Sequence, residues 1–391
     1  MNQYSLKPSI NEREMRGQSI AQNFGWVRRV DETSYMVHSQ RLDSEYSVVQ
    51  TETGWICDCP DSTFRLLKCK HVWAVEVSWR MRKRVEQSVV IQPVSVKNCP
   101  SCNSESIVKH GIRRNQSGAI QRWSCKGCGK WFVINLGFEK MHASPQVITS
   151  AMTLYFTGES FRGVSRFLKL QGVKFSQQSV WNWVEKYTRL MEDYLEQIRP
   201  QLSDTWRTDE MYVKFKGNMR HLFGMMDDET RFRIAQMVSA NKGTSDVRPM
   251  FKAAEQRAGK RPKTLISDGA HNFAIANRKE WYSHHPENCT THVADIRLGG
   301  KVHNNKMERM NGEWRDREKV MRGLKREDSP VIGGMQVFHN YFRPHEGLGG
   351  KTPAEAAGIK IEGENPMLTV IQNASRKREP TLDGGFDEPL S

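Results

Sequence analysis

The stretch Trp206-Arg207-Thr208-Asp209-Glu210-Met211-Tyr212-Val213-Lys214-Phe215 alternates in the manner of a β-strand, and its reading governs the rest of the chain. Asp209, Met211, Val213 and Phe215 share one face, and Thr208, Glu210, Tyr212 and Lys214 share the other. Asp209 thus sits with the apolar set, where an ionised carboxylate is costly unless a cation or hydrogen bonds offset it. That marks Asp209, rather than Glu210, as a metal-ligand candidate. A second strand, 220–226, and a third, 231–239, follow, joined through Asp227-Asp228-Glu229-Thr230, residues suited to a turn. After a helix rich in Met250, Phe251, Ala253 and Ala254, the short run Thr264-Leu265-Ile266-Ser267 closes on Asp268-Gly269. A buried strand that delivers a carboxylate at its end is where α/β folds place chemistry.

A third carboxylate lies in the segment 301–325, KVHNNKMERMNGEWRDREKVMRGLK. At helical spacing Met307, Met310, Trp314, Met321 and Leu324 form an apolar stripe, with Asn304, Glu308, Arg315 and Arg322 in a second stripe beside it. Glu308 is therefore expected to flank the buried face. Glu313 lies off that stripe and reads as a solvated residue. Asp209 and Asp268 are separated by 58 residues, and Asp268 and Glu308 by 39.

Three strands, a helix, a strand and a later helix follow the order of the RNase H-like fold. With these carboxylates, the order resembles the DDE-type transposases and retroviral-type integrases. The likeness is strongest to insertion-sequence transposases with a D…D…E triad and a basic residue seven positions after the glutamate, here Arg315. The closing segment, Phe338-His339-Asn340-Tyr341-Phe342-Arg343-Pro344-His345 with Gly347-Leu348 and 351–356, fits the same resemblance. The likeness covers about residues 145–360. The gap before Glu308 is somewhat longer than the mid-thirties spacing common in that group. The resemblance implies Mg²⁺ or Mn²⁺ held by Asp209, Asp268 and Glu308, with Arg315, Lys319 and Arg322 near DNA. It further implies cleavage at the ends of an element and joining of the freed 3′-OH to target DNA by a dimer or larger assembly. A transposase-derived DNA-binding regulator and a stand-alone nuclease of the same fold are the competing readings.

Seven of the eight cysteines fall between residues 57 and 128. No export signal precedes them, so a reducing compartment is expected, and close pairs read as metal ligands before disulfides. Cys57-Asp58-Cys59 and Cys69-Lys70-His71 supply four ligands for a tetrahedral Zn²⁺ between apparent strands and a helix containing Val72, Trp73, Val75 and Val77. The arrangement resembles a SWIM-type zinc finger, a module that is not a usual part of such transposases. Cys99-Pro100-Ser101-Cys102 and Cys125-Lys126-Gly127-Cys128, 22 residues apart, predict a zinc ribbon. Arg113, Arg114 and Arg122 on the intervening hairpin are candidate DNA contacts.

Ser144-Pro145 opens a helical stretch. Two helices and a third capped by Ser176 predict a helix-turn-helix, with Gln177, Gln178 and Asn182 on its reading face. Lys plus Arg number 59 against 44 acidic residues, giving a formal charge of +15, which favours a polyanionic partner. No apolar run is long enough for a membrane span, so a cytoplasmic, nucleoid-associated protein is expected. The predicted organisation is a multidomain α/β chain. A SWIM-type finger spans 25–85, a zinc ribbon 96–138, a helix-turn-helix 145–198, an RNase H-like core 200–360 and a flexible polar tail 361–391. The predicted core is a mixed sheet flanked by helices.

Overall fold

The computed structural model describes residues 12–376, excepting 22, 24, 32, 41–43, 52–53, 66, 87–88, 95–97, 100, 116–117, 134–135, 286–287, 295–303, 322–323 and 327–328. Arg322 lies outside the described residues. The chain opens with helix α1 (Glu12–Ala21), which the sequence reading did not anticipate. Strands β1 (Val27–Arg29), β2 (Ser34–His38), β3 (Glu45–Thr51) and β4 (Gly54–Cys57) form an antiparallel sheet in that order. A short α2 (Pro60–Arg65) and a long α3 (Lys70–Glu86) follow. Strand β2 buries every second residue, so Tyr35 and Val37 meet Val48, Val72 and Val75 in a small core that also takes in Cys57, Cys59 and Cys69. Helix α1 packs closely on α3: a Cβ at Gly17 would lie 2.4 Å from that of Trp73. Only a residue without a side chain permits that approach.

After β5 (Val89–Ile91) come β6 (Ile107–Asn115), β7 (Gly118–Cys125) and β8 (Trp131–Val133), an antiparallel set in chain order. Helices α4 (Pro145–Thr157), α5 (Phe161–Leu170) and α6 (Gln177–Leu195) are each opened by a serine, Ser144, Ser160 and Ser176. Each hydroxyl accepts a backbone N–H of the first turn, a cap worth about 1 kcal/mol.

The third region is built on a five-stranded sheet. Strands β9 (Thr205–Phe215), β10 (Asn218–Asp227) and β11 (Arg233–Ser239) form an antiparallel meander. Helix α7 (Thr244–Ala258) then crosses to β12 (Thr264–Ile266), which runs parallel to β9, and α8 (His271–Trp281) leads to β13 (Thr291–Val293), parallel to β12. The spatial order β11-β10-β9-β12-β13 is that of an RNase H-like core. Trp206 is fully buried and packs edge-on against Trp281, which in turn meets Phe251 of α7. Each such side chain contributes roughly 2 kcal/mol by leaving water. Helix α9 (Asn305–Met321) lies beside β9. It is followed by α10 (Pro330–Tyr341), α11 (Pro353–Ala356), β14 (Ile359–Ile361) and α12 (Pro366–Arg376).

Helix α12 corrects the expected flexible tail from 361. Met367, Val370, Ile371 and Ala374 recur at helical spacing and are buried, and α12 packs on α6 and α4. Residues 377–391 lie outside the described residues. By contact density the chain divides into two units, one of residues 1–89, 198–329 and 338–360, the other of 90–197, 330–337 and 361–391.

Candidate active site

Asp209 is placed at the middle of β9 and Asp268 just beyond the end of β12. These strands are parallel and Ile266 pairs with Arg207, so two residues further on Asp268 falls level with Asp209. The turn at Asp268 requires Gly269, whose φ is +89° and where a Cβ would meet the Ala294 carbonyl oxygen at 2.5 Å. The Asp268 carboxylate accepts the Ala270 N–H at 3.0 Å. Helix α9 is moored alongside. Asn311 Nδ2 donates to Asp209 Oδ2 at 2.8 Å, and Asn304 Nδ2 donates to the Thr208 carbonyl at 3.3 Å. Glu308 lies one turn before Asn311 on this helix, exposed together with Asp268, while Asp209 is half-buried.

These placements converge electrostatically at Asp209. Burial raises its carboxyl to about 6, against a lowering hydrogen bond from the Glu210 N–H, and repulsion from Asp268 and Glu308 adds to the rise. The sequence reading missed both Asn311 and Arg233. Arg233 is fully buried, its guanidinium fills the space over Gly224, and Gly224 pairs with Asp209 across the sheet. Burial draws Arg233 down to about 9 while Asp209 pulls it back up. One buried cation against three converging carboxylates leaves a net negative site, suited to divalent cations with oxygen ligands. Among the described residues only two thiol-containing sets bring their ligand atoms all within 4.8 Å of one another, so the carboxylates are spread more widely.

Three acidic positions depart from expectation. Asp228 occupies its turn but is 2% exposed, paired with Arg207 and, at 2.9 Å, with Lys306 of α9. Asp227 is also buried and binds Ser203 and Thr230. Glu313, expected in solvent, is half-buried and receives Arg343 Nη1 at 2.7 Å, with His339 Nδ1 3.8 Å away. Arg315 and Lys319 stand exposed on α9, Lys319 in an ion pair with Asp316 at 2.8 Å.

Cys57, Cys59, Cys69 and His71 form one four-ligand cage, entirely buried, and Cys99, Cys102, Cys125 and Cys128 form the other. Around a tetrahedral ion with ~2.3 Å bonds to sulfur, neighbouring sulfurs should lie about 3.8 Å apart. The observed Cys99–Cys128 and Cys102–Cys125 separations are 3.7 and 3.5 Å, and the Cys57 and Cys69 sulfurs lie 3.7 and 3.9 Å from His71 Nδ1. Both sets fit a metal ion. One thiol in each set is favoured as thiolate: hydrogen bonding with Cys57 holds Cys69 down at about 4, and backbone N–H donation from Cys128 holds Cys125 at about 6, while Cys57, Cys59 and Cys102 are raised.

Arg113 and Arg114 are exposed on β6, and Arg122 of β7 stacks over Trp131 at 4.6 Å. Gln177, Gln178 and Asn182 are exposed on the first turns of α6, where Gln178 Nε2 donates to Asn182 Oδ1 at 2.9 Å. Among the described residues no helix is long and apolar enough to cross a membrane.

Residues 203–345 match the family described as DDE domain. The transposase for insertion sequence-like element IS431mec of Staphylococcus aureus is 25% identical over 143 residues, 36% of this chain and 63% of that protein. An uncharacterized protein in transposable element ISH50 of Halobacterium salinarum is 26% identical over 187 residues, 46% of this chain and 58% of that protein. The chain thus spans about 60% of the length of these relatives. Among solved structures, the HTLV-2 integrase catalytic core in complex with magnesium aligns with a TM-score of 0.31 and 14% identity, over 41% of this chain and 99% of that one. Residues 203–345, which hold all three carboxylates, are thus similar to the DDE domain, and over the same length to an insertion-sequence transposase.

Proposed function

We propose that the protein cleaves double-stranded DNA at the terminal repeats of an insertion element and joins the freed 3′-OH to target DNA. The observation that carries this reading is the convergence of Asp209, Asp268 and Glu308 from two parallel strands and one helix, with Asp209 held near 6 by burial and by the other two carboxylates. Two Mg²⁺ or Mn²⁺ ions bound there would activate a water or 3′-hydroxyl and neutralise the leaving oxygen. Asp209, Asp268 and Glu308 would hold these ions through their carboxylate oxygens, ligands suited to Mg²⁺ and Mn²⁺. Asn311 fixes the Asp209 carboxylate in its orientation through a 2.8 Å hydrogen bond. Arg315 and Lys319, and Arg322 in the segment beyond, contact the DNA near the reacting phosphate.

The two cages hold structural Zn²⁺, the ion matched by their Cys₃His and Cys₄ donor sets. Arg113, Arg114 and Arg122 on the stapled hairpin, and Gln177, Gln178 and Asn182 on α6, read the terminal repeats. Two ends must be handled together, which calls for a homodimer or larger assembly on DNA.

Asp209→Asn tests the assignment. It removes charge while preserving shape, so cleavage and strand transfer on terminal-repeat oligonucleotides should fall to background with DNA affinity unchanged. Normal joining by this variant would sink the site assignment.

A further inference from the structure

The first turns of α9, the turn between β10 and β11 and the segment after α10 enclose a half-open pocket of about 150 Å³. That is well above the ~15 Å³ that one water needs. Arg231, Lys306, Arg309, His339 and His345 line it together with one carboxylate, Glu313. The anions nearby are already engaged: Asp228 between Lys306 and Arg207, and Glu313 with Arg343. Among the described residues no ion pair involves Arg231 or Arg309, and burial followed by Arg309 draws Arg231 down while the more distant charges of Asp228 and Glu313 pull it part of the way back. Holding two guanidiniums together in a partly dry pocket is unfavourable unless an anion joins them.

Three further features point to that anion. Arg231 Nε and His345 Nε2 are buried without a hydrogen-bond partner, while His339 Nδ1 faces the Glu313 carboxylate at 3.8 Å. Arg231 itself has a φ of +58°, a strained conformation for arginine. Its guanidinium lies where a Cβ on Gly347 would come within 2.2 Å of Nη2, so that glycine keeps the space open. The pocket also includes Asn305, the first residue of the 17-residue α9, whose dipole favours negative charge there.

We propose that this pocket binds a phosphate group of a DNA strand, gripped by Arg231, Arg309 and His345. The inference rests on the reading of this domain as one that acts on DNA. Arg309 neighbours Glu308 on α9, so a phosphate held here anchors a strand next to the carboxylates and resists its sliding along the helix.

The test uses the full chain without added Mg²⁺, comparing wild type, Arg309→Gln and the charge-conserving Arg309→Lys. Thermal shifts are read with inorganic phosphate against chloride at matched ionic strength. Duplex DNA affinity is read by fluorescence anisotropy across salt concentrations. Phosphate should raise the melting temperature of the wild type but not of Arg309→Gln. The slope of log affinity against log salt should fall by about 0.9 in Arg309→Gln, as for loss of one phosphate contact, and recover in Arg309→Lys. An unchanged phosphate shift in Arg309→Gln overturns the site. A lost shift with an unchanged DNA slope overturns the DNA assignment and leaves a free-phosphate site. Because no cleavage is scored, a catalytic failure of the carboxylate reading would leave this result standing.

Discussion

Asp228 shows what a single turn residue can carry. Burial opposes its charge, but Lys306 and Arg207 more than offset that and hold the carboxyl well below the usual carboxylate range. Burial likewise draws Lys306 below an ordinary lysine, with Asp228 pulling it back up. The group ties the start of α9 to the β10–β11 turn, and so fixes the helix that bears Glu308. Asp228→Asn leaves two buried cations short of a counter-charge and should cost about 3 kcal/mol in urea unfolding. The sign with pH follows from the lowered native value: the contribution is complete above roughly pH 4 and is lost as pH falls through the native pKa. The variant should therefore lose the acid-limb stability change between about pH 4 and 2 that the wild type shows. A double variant with Lys306→Met should regain part of the loss. Equal urea midpoints for Asp228→Asn and wild type would show that the ion pair does not hold the turn.

At the scale of elements, four of the five strands were legible, β9 from its period-two pattern and β12 from an apolar run ending in Asp268-Gly269, whereas the three residues of β13 (Thr291–Val293) are too few to carry a pattern. The caps at Ser144 and Ser176 were legible for the same local reason. What escaped reading depends on partners remote in sequence. Glu313 lies off the apolar stripe of α9, and only folding brings Arg343 and His339 to it. Asn311 and Arg233 gain meaning only once β9, β10 and α9 are packed. Helix α12 did carry a signal, Met367, Val370, Ile371 and Ala374, but charged and polar neighbours on both sides disguised it. Glu192 of α6 illustrates an element-level cost. Its carboxylate lies where a Cβ on Gly333 would stand, and burial, with repulsion from Glu196, raises it to about 7. A native pKa above the unfolded value means stability is full below about pH 4 and declines as pH rises through 7. Glu192→Gln should thus stabilise the protein by about 2 kcal/mol at pH 8 and change little at pH 4, read from the melting temperature at each pH. Equal effects at both values would show that Glu192 ionises freely in the native state.

For the molecule as a whole, the two ligand cages and the large aromatic core occupy different stretches of the sequence. The cage ligands all lie before residue 129, whereas the core packed around Trp206, Phe223, Phe251, Phe273 and Trp281 lies beyond residue 203. Domains below about 70 residues seldom gather more than 3–5 kcal/mol from one apolar core, so a small sheet and a three-stranded hairpin need a staple. A structural zinc site supplies on the order of 10 kcal/mol at neutral pH. The five-stranded sheet buries several large aromatic side chains and has no thiol ligand. Elemental analysis should therefore return two zinc ions per chain, and a strong chelator should remove both. Hydrogen exchange after chelation should then show fast exchange across β1–β4 and β6–β8, with the amides of β9, β10 and β12 still protected. Terminal-repeat binding should be lost together with the cages, since Arg113, Arg114 and Arg122 sit on the hairpin that the second cage closes. Should β9 and β12 lose protection at the same chelator concentration as β2 and β3, the catalytic core cannot be a separately stable body and the zinc modules must be part of its folding unit.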